Sequence, residues 1–141
     1  MYEFFLKFHH YIAFLVLIFL IFEMIHILWL INYNIQIKFF FKVILDITVV
    51  TIFIQIFFGF LLMIFNCFYL YENRIDFIQI LKQREIRSKI IEHPIIMILG
   101  SSMFIFFYKK LDKEKKITNT VFFYFLLSVL TIITRFPLKI L

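Results

Sequence analysis

"FHHYIAFLVLIFLIFEMIHILWLI", residues 8–31, is one continuous apolar stretch whose only ionisable interruptions are His9, His10, Glu23 and His26, with Tyr11 near the start. A bilayer's hydrocarbon core, about 30 Å thick, is crossed by roughly 20 helical residues, so the stretch is long enough to span. Lipid offers the backbone no hydrogen bonds, which leaves only helices and closed barrels as spanning structures. The apolar residues here run on without alternating, so the stretch reads as a helix.

Working outward, three more runs follow: residues 43–66 ("VILDITVVTIFIQIFFGFLLMIFN"), 90–108 ("IIEHPIIMILGSSMFIFFY") and 120–136 ("TVFFYFLLSVLTIITRF"). Short connections make sequential helices antiparallel neighbours. The expectation is an all-α integral membrane protein, a single four-transmembrane-helix bundle running up-down-up-down over residues 1–141, with both termini on one side. Between the second and third runs, Ile75, Ile78 and Leu81 recur at helical spacing among charges. That pattern fits an interfacial helix over about 75–88, and equally a solvated loop. Residues 109–116, "KKLDKEKK", read as a charged hairpin.

Composition supports the class. The chain is 64% hydrophobic, with a mean hydropathy of +0.99, where a soluble domain is nearer half apolar. The net charge of +6 comes from Lys and Arg placed between apolar runs, where they meet lipid headgroups. No soluble basic face remains to bind nucleic acid, so the bilayer is the expected partner, with room for other membrane subunits. Cys67 is the one cysteine, which excludes an internal disulfide. The first run is too long for a signal-peptide core and lacks a small-x-small cleavage site. Eight Lys and Arg fall on the side of the termini and seven on the other, so the positive-inside rule does not orient the chain. No Gly-rich phosphate loop, nucleophile elbow or cysteine-based zinc pattern occurs.

Ionisable residues within a span are functional candidates. At about 100° per residue, taking His9 as 0°, Glu23 lies at about −40°, His26 at about −100° and His10 at about +100°. The polar stripe therefore contains His9 and excludes His10, and Ala13 shares it. On the third run Gly100 shares a face with His93, seven residues before it. His9 and His93 enter from the same surface and lie at one depth. Small residues let helices or a flat macrocycle approach closely, so Ala13 and Gly100 are expected to floor a site between the first and third helices. Two histidines at one level are what haem b requires, and Lys7, Arg87 and Lys89 lie where propionates would be. The opposing reading is that Glu92-His93-Pro94 is an ordinary helix start among headgroups and no cofactor binds. Glu23, His26 and Asp46 are expected to form a second, buried polar cluster near the opposite surface, which stitches two helices or serves as a proton path. Glu-x-x-His occurs here once, whereas di-iron bundles carry it twice with two further carboxylates.

In order along the chain stand "FHHYIAFLVL", "QIFFGF", "REIRSKIIEHPIIMI", the basic hairpin and a final "RFPLKIL". This series resembles the small four-helix bacterial membrane proteins known as cytochrome B or cytochrome-b-like. That family has a His followed by Ser-Tyr near its start, and a His-x-Gln with Gly four residues after the Gln. It also has an Arg and then Val-Glu-His-Pro, and a Pro-containing tail. The matching positions are His9 with Tyr11, Gln55 with Gly59, Arg87, and Glu92-His93-Pro94. Phe53 stands where the family has its second His, and Ala13 where it has an Arg. The resemblance implies a b-type cytochrome-like protein of the bacterial inner membrane, engaged in electron transfer, with the 32–42 and 109–116 loops cytoplasmic and the termini outside. Two other readings stand beside it: an accessory membrane subunit with no cofactor, and a small transporter or proton-path protein built on Glu23, His26 and Asp46.

Overall fold

The computed structural model describes residues 1–33, 37 and 39–134. Residues 34–36 and 38 of the 32–42 loop, and the tail with Arg135, Lys139 and the end of the expected fourth helix, lie outside the described residues. Among the described residues every regular element is helical. They are α1 (Tyr2–Tyr33), α2 (Phe39–Glu72), α3 (Phe77–Lys82), α4 (Arg84–Arg87), α5 (His93–Glu114) and α6 (Asn119–Thr134), with a π-helical turn over Ser88–Glu92 leading into α5. Three helical stretches, Tyr2–Tyr33, Phe39–Glu72 and Arg84–Glu114, are long and apolar enough to cross a membrane, and α6 is a shorter apolar helix.

The long helices overrun the expected runs at both ends. α1 starts at Tyr2 rather than Phe8, and α2 extends to Glu72. Hydropathy marks only the hydrocarbon-facing part, and nothing in the flanking polar residues stops the helix. The expected interfacial helix is instead two short pieces. Gln83, at φ −89° and ψ 103°, is extended and separates α3 from α4.

Neighbouring helices are antiparallel, and pair contacts give the register. His9 meets Gln55 and Glu23 meets Thr48 across α1 and α2. Lys42 meets Asp112 and Asp46 meets Tyr108 across α2 and α5. α6 packs mainly on α5 and also touches α1. The core holds Leu20, Ile27, Phe41, Leu45, Phe104, Phe107, Val121 and Phe125, all fully buried. The ring of Phe107 lies tilted against its neighbours, its centroid 4.9 Å from Phe125 and 5.4 Å from Phe104. The outward faces are also apolar. Phe14, Ile18, Ile21 and Ile25 on α1 are exposed, and only 28% of the most apolar part of that helix is buried. A helix greasy all round belongs in lipid.

Pro94 sits in the first turn of α5. It has no N–H to donate, and its ring crowds the carbonyl four residues earlier. The ladder before it widens into the π turn, closed by the His93 N–H donating to the Ser88 carbonyl five residues back. Widening also brings residues five apart onto one face, and Arg87 Nε donates to Glu92 Oε1 at 2.8 Å. At Gly100, α5 and α6 approach so closely that an added Cβ would lie 2.8 Å from Ile132 Cγ1 and 3.4 Å from the Ile132 backbone nitrogen.

Two outcomes are expected. Cysteines placed at Asn73 and Asp112 in a Cys67→Ser protein should label from opposite faces of a sealed membrane, and labelling from one face would refute the antiparallel order. Gly100→Ala should destabilise the folded bundle by about 1–3 kcal/mol, as overpacking does, when unfolding is followed in mixed detergent. Ile132→Ala in the same chain should recover most of that loss.

Candidate functional site

α1 carries His9 on its buried face, with 8% of its surface exposed, while His10 beside it is half-buried on the flank. The π turn and Pro94 deliver His93 to the same end of the bundle. The two imidazole centroids lie 6.1 Å apart, with ring planes at 76°. Gln55, buried on α2, places its Nε2 3.2 Å from His9 Nε2. An amide nitrogen donates only, so in this arrangement His9 Nε2 accepts and its proton is on Nδ1. His9 Nδ1 and Gln55 Oε1 are buried and find no hydrogen-bond partner among the described residues. Turning the amide over would exchange the roles and still leave two polar atoms unmatched, so the locus has unspent bonding capacity.

A cavity of about 170 Å³ adjoins these groups. His9 caps it. Gln55, Gly59 and Met63 of α2 form one wall, and His93, Pro94 and Met97 of α5 the other. Phe60 and Ile98 also line it and are exposed, so its mouth opens on the outer surface between α2 and α5. Gly59 gives His9 its place, since a Cβ there would lie 3.2 Å from His9 Cε1.

The site therefore differs from the one expected between the first and third spans. Gly100 does not floor it; its bare backbone is used against Ile132 of α6. Ala13 is buried but does not line the cavity. Arg87 does not line it either, because its guanidinium is held by Glu92 and by the Leu81 carbonyl at 2.7 Å. Phe53 is exposed on the far side of α2, about 200° round from Gln55. Position 53 therefore does not face this cavity.

The second cluster is also rearranged. Asp46 is exposed and accepts from the Tyr108 hydroxyl at 2.6 Å. It belongs to a surface group in which Lys42 donates to Asp112 at 2.6 Å. Thr48 is two positions after Asp46, and that step turns the helix about 200°. Thr48 faces inward and meets Glu23, which is fully buried, at 2.6 Å. His26 is half-buried, with its ring 4.5 Å from that of Phe41. Thr48 was not anticipated. Its signal is spacing, because Thr48, Thr51 and Gln55 recur at three and four residues on one helix face.

Among the described residues, no group of three or more His, Cys, Asp and Glu could hold a metal on protein ligands alone. A haem asks less of the chain, since the macrocycle supplies four nitrogens and leaves one or two positions for protein ligands.

Gly59→Ala should cost about 1 kcal/mol through its contact with His9. In a His9→Ala background the same change should be neutral or stabilising, because alanine favours helix over glycine by roughly 0.8–1 kcal/mol. Additive losses in this double-mutant cycle, measured by unfolding, would show that the two residues do not touch. Comparison with models of known protein families, with characterised proteins and with solved structures finds no match to this chain.

Proposed function

We propose that the chain is a b-type cytochrome-like protein of a bacterial inner membrane, crossing it four times with α6 as the fourth span. It would hold haem b through His9 and His93 and carry electrons. The 109–116 segment, which the structure makes the end of α5 and the start of the turn after it rather than a hairpin, faces the cytoplasm in this reading.

The observation that carries it is the meeting of two imidazoles from different helices, 6.1 Å apart, at the end of a cavity with unmatched polar atoms. An iron held by both His9 and His93 would call for ring centres about 6 Å apart. That span is two bonds of about 2 Å each, as metal–imidazole bonds generally are, plus the half-ring on either side. The residue types and the separation of the two rings support this reading. The cavity, at about 170 Å³, is below the ~300–1,000 Å³ of a usual cofactor pocket, so loading requires the lipid-facing mouth at Phe60 and Ile98 to widen.

When bound, the haem would supply one-electron chemistry. The chain's own groups do the rest. His9 and His93 offer ring nitrogens, Gln55 fixes the orientation of the His9 ring, and Gly59 leaves that ring room. Lys7 and Lys89, both exposed at this end, are the cations left for propionates once Arg87 is engaged by Glu92.

Expression with haem supplied, purification in mild detergent and a reduced-minus-oxidised spectrum test the reading. A b-type band is expected, lost in His93→Ala and in His9→Ala and kept in His10→Ala. The same spectrum in all three variants would refute the ligand assignment. No band in the unaltered chain would favour a membrane subunit without cofactor.

A further inference from the structure

The His9–His93 cavity leaves Glu23 unused, and Glu23 is the most completely buried titratable side chain among the described residues, with none of its surface exposed. No ion pair among the described residues includes it. Its Oε1 lies 2.6 Å from Thr48 Oγ1, and Oε2 has no hydrogen-bond partner among the described residues. Thr48 Oγ1 also lies 2.9 Å from the Ile44 carbonyl. A hydroxyl has one hydrogen. The single hydrogen can point to Glu23 Oε1 or be shared with the Ile44 carbonyl, whereas two full hydrogen bonds need Thr48 to donate to Ile44 and Glu23 to donate to Thr48. That arrangement requires a hydrogen on the carboxyl. It also avoids a bare carboxylate in an apolar interior, where an unpaired charge is strongly disfavoured.

The surroundings agree. On α1 the neighbouring titratable group is His26, half-buried, with rings of Phe22 and Phe41 against it. On α2 the nearest are Asp46 and Lys42, which are taken up by Tyr108 and Asp112. α5 and α6 contribute no fully buried Asp, Glu, Lys, Arg or His among the described residues. From Thr48 the polar residues continue along the same face of α2 through Thr51 to Gln55, all buried, and Gln55 reaches His9. The row covers about 10 Å of helix rise. Each threonine hydroxyl donates to its own helix, Thr51 to Ile47 at 2.8 Å, and keeps lone pairs to accept.

We infer that Glu23 is a proton-carrying group of the membrane interior, connected through Thr48, Thr51 and Gln55 to the His9–His93 cavity. A proton leaving Glu23 makes it a carboxylate. Thr48 Oγ1 takes up that hydrogen while its own, turned away from the Ile44 carbonyl, moves on to Thr51 Oγ1, so each threonine ends unchanged and water at the terminal end of the row receives a proton. No oxidant, and no second reactant beyond that water, is needed, and the inference does not depend on haem being bound.

Infrared spectra of the purified full chain in lipid test it, with and without added haem. At neutral pH a protonated-carboxyl C=O band is expected, absent in Glu23→Gln, moved to higher frequency in Thr48→Val and moved down in D₂O. Absence of the band, or its survival in Glu23→Gln, overturns the assignment. Should Glu23→Gln fail to insert, Thr48→Val decides alone, because an unmoved band would mean the carboxyl lies elsewhere. Thr51→Val should slow the D₂O shift several-fold, and an unchanged rate overturns the route. A chain without a haem spectrum would still give these readings, so failure of the haem reading and failure of this one are distinguishable.

Discussion

Because lipid tails are as apolar as Phe or Leu, burying such side chains between helices gains little in a bilayer, and association rests on close packing and on polar contacts. Each interface of this bundle shows one of those devices. α1 and α2 are joined by two buried polar pairs, Glu23 with Thr48 and His9 with Gln55. α2 and α5 are joined near one surface by Lys42, Asp46, Tyr108 and Asp112. α5 and α6 share no hydrogen bond between side chains among the described residues and rely on the bare backbone of Gly100. The many Phe residues then fill what these contacts leave.

The two ends of the bundle are built differently. Towards the charged 109–116 segment the interior is a solid block of Phe41, Phe104, Phe107 and Phe125. Towards the termini the interior thins into a cavity walled by Met63, Met97 and Pro94 and headed by two imidazoles. Methionine is unbranched and adaptable, so this end can change volume in a way the aromatic end cannot. A rigid base and a yielding mouth make the terminal end the part of the bundle where the cavity can widen.

Much of this was legible from residue order alone. The four apolar runs fixed the number and direction of the main helices, because hydropathy summed over twenty residues leaves little ambiguity. The angular argument that separates His9 from His10 needs only a regular helix, and α1 is regular. What failed were inferences that also needed to know which neighbour a face meets. Gly100 shares a face with His93, yet in a ring of four helices one face can serve two partners, and here the glycine serves α6. Asp46 was grouped with Glu23 by depth, although two residues of helix carried it to the outside. The break at Gln83 and the wide turn before Pro94 depend on local backbone balance that periodicity does not encode.

The π turn at Ser88–Glu92 amounts to one residue more than an α-helix would need. Everything before it, from Arg87 back to the short helices, is therefore rotated by nearly a third of a turn relative to α5. Closing the turn as ordinary α-helix with every one of its residues kept would leave α5 itself undisturbed. Arg87 would then swing off the face of Glu92, and the whole connecting segment would leave the bundle in a different direction. The width of this turn thus sets the heading of the chain between its second and third long helices, and a one-residue deletion that closed it as α-helix would leave that heading nearly unchanged.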